Sequence, residues 1–255
     1  MSLEPDNKIN QLITQWPSNA IYLTSWLAKE GYSAQLLNRY KQSNWIASIG
    51  HGAVMKTGDQ ASLEGALFTI QKQGKQQIHP GGKTALNLLG RAHYLEFSTK
   101  NYTLFGIESE KLPSWFLKYN WKTSINYYST SFLPSNIGLV NYETNGFSIK
   151  ISGAVRAMLE CFYLAPKNQD LQECYELMEG LNNLRPQPVQ QLLEVCTSIK
   201  VKRLFLYTAE KIGHAWMDFI DIDKIDLGSG KRQIVKNGVY IPKYKITVPS
   251  TFENG

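Results

Sequence analysis

Cysteine is scarce and unpatterned in this chain. Cys161, Cys174 and Cys196 are odd in number, widely spaced and never in a CxxC pair, which excludes a disulfide framework and a cysteine-bound zinc and fits a reducing cytoplasm. Long apolar runs are missing too. No segment approaches the roughly 20 residues that span a bilayer, and the opening MSLEPDNKIN is polar, without an apolar signal core. A cytoplasmic protein with no membrane partner is the expectation. Histidine is rare: His51, His79, His93 and His214 stand in no HExxH or comparable ligand spacing. GxSxG is absent as well. No metal, cofactor or catalytic residue is assigned on these grounds, and hydrogen-bonded structural histidines are expected, with His79 and His93 flanking one helix closely enough to meet.

Two glycine-rich stretches fall short of a phosphate loop. Gly81-Gly82-Lys83-Thr84 opens a helix after a strand-like stretch, but a Walker A sequence needs glycine at position 77, where Gln77 stands. Gly228-Ser229-Gly230-Lys231-Arg232 has Ile225 at that place and Arg232 in place of Ser or Thr, so a basic hairpin loop is expected. Asp218, Asp221, Asp223 and Asp226 interleave with apolar residues and lack calcium-loop spacing; a solvated, partly capping acidic segment is the default.

What is present is a core and a basic balance. With 255 residues and 43% hydrophobic content the chain can bury two domains, and its formal charge of +6 suits an anionic partner. Residues 18–57 carry Lys29, Arg39, Lys41 and Lys56 against Glu30; residues 198–245 carry ten cations against five carboxylates. A linear excess need not form a surface patch in the fold.

Residues 21–56 read as helix, tight turn, second helix and short hairpin. Thr24 or Ser25 is expected to cap a helix over 26–30. Gly31 supplies the left-handed turn, and Ser33 caps a helix over 34–43. At about 100° per residue, Leu36, Leu37 and Tyr40 share one side of this second helix, with Gln35, Asn38 and Gln42 opposite and Arg39 and Lys41 flanking them. Amide side chains pair bidentately with adenine edges in the major groove, and cations suit phosphates. Trp45 to Met55 then reads as two short strands about Gly50-His51-Gly52, with His51 and Lys56 on or near the wing. The order describes a winged helix-turn-helix. Ordinary amphipathic helices share such polar faces, so that plainer reading stays open.

A polar break at Thr57-Gly58-Asp59 places a boundary between residues 1–57, the winged helix-turn-helix, and a larger mixed α/β domain over 58–255. The fold class expected is α+β. Beyond the break the pattern predicts strands near 76–79, 102–105, 124–128 and 147–151, a helix over 83–89, and a helix capped by Ser152 that runs to about Leu164 with Arg156 and Glu160 paired at i,i+4. Further helices are expected over 171–182, 188–198 and 201–213, and a hairpin-like region through 238–248.

Four stretches together resemble the AbiEi family, the antitoxin component of type IV, abortive-infection toxin–antitoxin systems. They are LTSWLAKEGYSAQLLNRYKQSNWIASIGHGAV; IHPGGKTALNLLGRAHYL; ISGAVRAMLE; and IKVKRLFLYTAEKIGHAW with IDLGSGKRQIVKNGVYIPKYKITVP. The last is the most specific. The resemblance implies a bacterial DNA-binding transcriptional repressor that binds inverted repeats in its own promoter, and a C-terminal domain that counteracts a nucleotidyltransferase-like toxin. Carried onto this chain, Gln35, Asn38 and Gln42 read bases; Ser33, Arg39, Lys41, His51 and Lys56 hold phosphates or the wing's groove; and Lys200, Lys202, Arg203, Lys231 and Arg232 form a C-terminal basic surface. Ser152-Gly153-Ala154-Val155-Arg156 lacks the proline and acidic residue that many relatives have after the capping serine. Two other readings remain: a phosphoryl- or nucleotidyl-transferring enzyme acting on the toxin through Gly82-Lys83-Thr84, and a C-terminal surface for the toxin or its RNA.

Overall fold

The computed structural model describes residues 5–91, 101–144 and 146–252. In chain order the elements are α1 (Pro5–Gln15), β1 (Ile21–Leu23), α2 (Thr24–Lys29), α3 (Ala34–Gln42), β2 (Ile46–Gly50), β3 (Ala53–Lys56), α4 (Leu63–Lys72), β4 (His79–Pro80), α5 (Gly82–Leu88), β5 (Asn101–Gly106), α6 (Ser114–Lys118), β6 (Ser124–Ser129), β7 (Leu139–Thr144), β8 (Phe147–Ser152), α7 (Ala154–Leu164), α8 (Leu171–Glu179), α9 (Pro186–Val195), α10 (Ile199–Ile212), β9 (Arg232–Gln233), β10 (Val239–Ile241) and β11 (Ile246–Val248). The fold is α+β, with an N-terminal winged helix-turn-helix. The chain forms two compact units: one holds residues 1–79, 106–124 and 141–150, the other 80–105, 125–140 and 151–255.

In the first unit, β1, β3 and β2 form a small antiparallel sheet in that order. β1 is three residues long, too short to show an alternation, and the sequence pattern missed it. Its partner is set by register, with Ile21 opposite Met55 and Leu23 opposite Ala53. Trp16, Tyr22 and Trp26 pack beside it with tilted rings, centroids 4.1 and 5.3 Å apart, and the Trp16 indole N–H donates to Ala20 O. Two later stretches complete this unit. Trp115 of α6 lies against β2 at Gly50, where any side chain would push on the Trp115 Cα and Cβ atoms. Gln71 of α4 pairs its amide with both backbone groups of Lys150, and Phe68 packs on Phe147 at 5.0 Å.

The second unit is built around α7. Every residue from Val155 to Phe162 is buried, and α5, α8, α9 and α10 all pack on this helix. Its sequence is apolar except for Arg156 and Glu160, and these face each other in the interior, Arg156 Nε to Glu160 Oε1 at 2.9 Å. The i,i+4 pair expected from the sequence is therefore present, as a buried pair. Glu160 also accepts the Gly82 N–H (2.8 Å) and sits 2.8 Å from the Ser152 hydroxyl, while Arg156 donates to the carbonyls of Pro134 and Ile137. Ser152 thus bonds to Glu160 and does not cap the helix; the cap position is Gly153, with no side-chain cap bond. A buried carboxylate needs that many donors to stay ionised at tolerable cost.

The remaining expectations meet the structure with small shifts. The strand near 76–79 shrinks to two residues, β7 had no anticipated signal, and the hairpin at 238–248 is β10 with β11, antiparallel, with β9 joining β11 in parallel. His79 is buried with Nδ1 2.8 Å from Gln77 O; His93 lies outside the described residues. His214 is buried, its Nε2 2.8 Å from Met178 O and its ring stacked on Trp216. Among the described residues no helix is long and apolar enough to cross a membrane, and no group of three or more His, Cys, Asp or Glu is placed to hold a metal.

Two outcomes test this packing. Glu160→Ala leaves the Arg156 guanidinium buried without its counter-charge, so urea unfolding should show a loss of about 3–5 kcal/mol. Burial lowers the pKa of His214, against the opposing pull of the Met178 carbonyl and the Glu179 carboxylate. The unfolded chain therefore takes up this proton first as pH falls. Stability from this group is fully present above the ordinary histidine value of about 6.5 and declines below it. Thermal midpoints followed downward from neutral pH should fall less steeply in His214→Gln than in the parent chain.

Candidate nucleic-acid interface

The interface begins with the turn between α2 and α3. Gly31 takes φ +88°, the left-handed region its sequence position demanded. The Tyr32 N–H returns to Leu27 O at 2.9 Å, and the Ser33 hydroxyl oxygen accepts the Leu36 N–H at 3.2 Å, so Ser33 caps α3. Leu37 and Tyr40 are buried, and Gln35, Asn38, Arg39 and Gln42 are exposed along the opposite side. The helix shows the face its periodicity predicted.

The cap of α2 differs from expectation. Helix α2 starts at Thr24 itself, after Leu23, with no side-chain cap. Thr24 instead ties the helix start to the wing: its N–H donates to Gly52 O at 2.9 Å, and its hydroxyl approaches the same oxygen at 3.4 Å. The β2–β3 turn is thereby held beside the helix-turn-helix, with exposed His51 at its tip.

This tie creates a cleft of about 450 Å³ where α2, α3 and the wing turn converge, lined by Thr24, Ser25, Asn38, Lys41 and His51 among others. The cleft combines two hydroxyls, an amide, an ammonium and an imidazole, a donor-rich set with no carboxylate in its lining. Such a set suits a phosphate or a base edge. Of the residues singled out in the sequence, the structure brings Asn38, Lys41 and His51 into this one cleft. Gln35, Arg39 and Gln42 lie on the same helix, outside its lining. The sequence pattern offers Thr24 and Ser25 only as caps, and Trp45, 47% exposed just past α3, only as a lead into a strand.

Lys56 is placed differently from a free wing cation. It is half-buried, its ammonium donates to Trp16 O at 2.9 Å, and Asp59 lies 3.9 Å away.

The C-terminal cations divide sharply. Lys231 and Arg232 are exposed. Lys202 and Arg203 are 2% and 1% exposed, so the expectation that they contribute to a surface is corrected. The cause is the environment of α10, whose residues Val201 to Ala209 are all buried, so even its cations point into protein. Arg203 is compensated by four carbonyls, those of Leu227, Gly228, Gly230 and Lys245, at 2.6–3.1 Å. Lys200, half-buried, donates to Tyr163 O and Ala165 O just past the end of α7.

The Gly81-Gly82-Lys83-Thr84 turn is also accounted for internally. The Glu160 carboxylate takes the Gly82 N–H, Thr84 Oγ1 accepts the Thr103 N–H at 2.8 Å, and Lys83 pairs with Glu173. The anion that this helix start attracts is a protein side chain.

Two family models match the chain in succession. Residues 5–97 match the family model of the transcriptional regulator AbiEi antitoxin N-terminal domain, and residues 99–249 that of the transcriptional regulator AbiEi antitoxin of the type IV TA system. Among curated proteins, none matches. Among solved structures, the crystal structure of the RV2827C protein from Mycobacterium tuberculosis is similar in fold, with a TM-score of 0.59 at 11% identity over 94% of this chain and 89% of that one. The two family models cover nearly the full length, and this chain belongs to the AbiEi antitoxins, the transcriptional-regulator component of type IV toxin–antitoxin systems.

Proposed function

We propose that this antitoxin is the autorepressor of its own operon. Residues 1–57 bind inverted repeats in the promoter, and residues 58–255 counteract a nucleotidyltransferase-like toxin in the cytoplasm. The observation that carries the DNA half is the convergence of α3 and the wing turn on one donor-rich cleft, beside a solvent-facing row of Gln35, Asn38 and Gln42. In this reading α3 lies in the major groove, and Gln35, Asn38 and Gln42 contact base edges. Arg39, Lys41 and His51 hold phosphates, joined by the Ser33 and Ser25 hydroxyls near the helix starts. Lys56 acts indirectly, by fixing the end of β3 to Trp16. Lys231 and Arg232 remain as exposed C-terminal cations for the toxin-directed function or for RNA.

Phosphoryl or nucleotidyl transfer by the larger domain has less support, because Glu160 fills the place of a bound phosphate at Gly82 and Lys83 is paired with Glu173. Magnesium-dependent incorporation of labelled phosphate that disappears in Lys83→Ala would overturn the binding-only reading.

The deciding experiment is binding to the upstream DNA and to a scrambled duplex across a salt series. Asn38→Ala and Gln35→Ala should each cost on the order of 1–3 kcal/mol on the cognate duplex and little on the scrambled one. Lys41→Ala should weaken both alike and reduce the salt slope by about 0.9. Equal losses on both duplexes for Asn38→Ala would remove its base-reading role.

A further inference from the structure

The loop over residues 227–232 is turned inside out by Arg203. A trans peptide places its N–H opposite its C=O, so each carbonyl drawn onto the buried guanidinium sends the following amide hydrogen the other way. The Leu227 carbonyl accepts from Arg203 Nε at 2.7 Å, and the Gly228 N–H of the same peptide goes to Asp226 Oδ1 at 2.8 Å. The Gly228 carbonyl (2.9 Å) and the Gly230 carbonyl (2.6 Å) also face Arg203. Their peptides carry the Ser229 and Lys231 N–H groups, which have no acceptor among the described residues and lie in an exposed loop. Cations lie near this loop. Lys231 and Arg232 are exposed, the Arg232 charge is close enough to bear on Arg203, and the Lys245 ammonium lies 3.3 Å from Ser229 O. The Asp226 carboxylate bears on Arg203 as well, and its Oδ1 is engaged by the Gly228 N–H. Beside the loop stands Tyr240, 38% exposed, with the Lys231 ammonium 5.0 Å from its ring centroid.

We infer that this loop is a phosphate-binding site, in which the Ser229 and Lys231 amides and the side chains of Lys231, Arg232 and Lys245 hold a phosphodiester of a single-stranded nucleic acid, with Tyr240 as the neighbouring stacking face. Outward backbone N–H groups in a turn form an anion-binding concavity without any side-chain charge, and adjacent cations with an exposed aromatic ring are the elements by which single strands are held regardless of sequence. Arg203 is a positioning residue here. It touches no ligand, and two of its four acceptors, the Gly228 and Gly230 carbonyls, set the direction of the amides that do. The site is independent of α3; it deepens the reading of Lys231 and Arg232 as exposed cations for RNA and rests on that reading, whereas oligouridylate binding with unmoved amides would leave that reading standing and remove the site.

The test uses the full chain, isotopically labelled, with the α3 changes Arg39→Gln and Lys41→Gln introduced so that the phosphate contacts proposed for that helix are removed. Inorganic phosphate and a short oligouridylate are titrated in turn. Saturable shifts of the Ser229 and Lys231 amide resonances with both probes are expected, with Tyr240 ring signals moving only for the oligouridylate. Lys231→Gln with Arg232→Gln should weaken oligouridylate binding about tenfold or more at low salt and reduce the salt slope by about 1.4, at roughly 0.7 for each lost cation on a single strand. Arg203→Lys keeps the charge but lacks the guanidinium fork; with the rest of the spectrum native, it should abolish the two amide shifts. If that variant does not fold, the Lys231/Arg232 pair decides. Amides that stay unmoved by phosphate, shifts spread over the surface without saturation, or oligouridylate affinity unchanged in the double Gln variant would each overturn the proposal.

Discussion

The second unit depends on one carboxylate. Glu160 sits at the centre of a helix that is apolar but for it and Arg156 and is fully buried, a placement that ionised groups tolerate only with a matched set of donors. Three are supplied from different parts of the chain: the Gly82 N–H from α5, the Ser152 hydroxyl from the end of β8, and Arg156 one turn back on α7. Arg156 in turn fixes the 134–137 segment through two carbonyls. An apolar pair of similar volume would pack α7 as well, but would not specify which loop ends where. The charge contributes register more than net stability, and its removal from one side alone is what the unit cannot absorb.

The same economy of donors explains the glycine-rich motifs. A helix start with free N–H groups attracts an anion, and a sequence cannot say whether that anion is a ligand or a side chain nearly eighty positions away. At Gly82 it is Glu160. In the 228–232 loop the situation is reversed. There a buried cation collects the carbonyls, and the amides are left facing solvent. Two short motifs of similar composition therefore have opposite electrostatic character, one filled from within and one open, and the difference lies entirely in the distant residue each is folded around.

Much of the winged helix-turn-helix is legible because its determinants are local. Gly31, Ser33 and the spacing of Leu37 and Tyr40 act within a few residues, so turn, cap and buried face follow directly from the chain order. The start of α2 departs from the local pattern for a reason that is not local. Thr24 satisfies its backbone through Gly52, across the sheet, and only the wing makes that acceptor available. Nor could the pattern show that Trp115 braces β2 or that Gln71 completes the edge of Lys150, since both belong to stretches that return to the first unit from far along the chain.

The charged residues mark the limit of linear reading most clearly. Lys200, Lys202, Arg203, Lys231 and Arg232 look equivalent as a basic run, yet Lys202 and Arg203 are buried, Lys200 and Arg203 hold carbonyls, and Lys231 and Arg232 face water. A warning was present in the composition of α10: a helix reading IKVKRLFLYTAEKI carries apolar residues on every side, and a helix enclosed on every side must take its cations inward. Periodicity was the stronger evidence and charge the weaker. Inside such a helix a guanidinium is a structural cross-link, and its influence on recognition passes through the backbone it orders and not through its own charge.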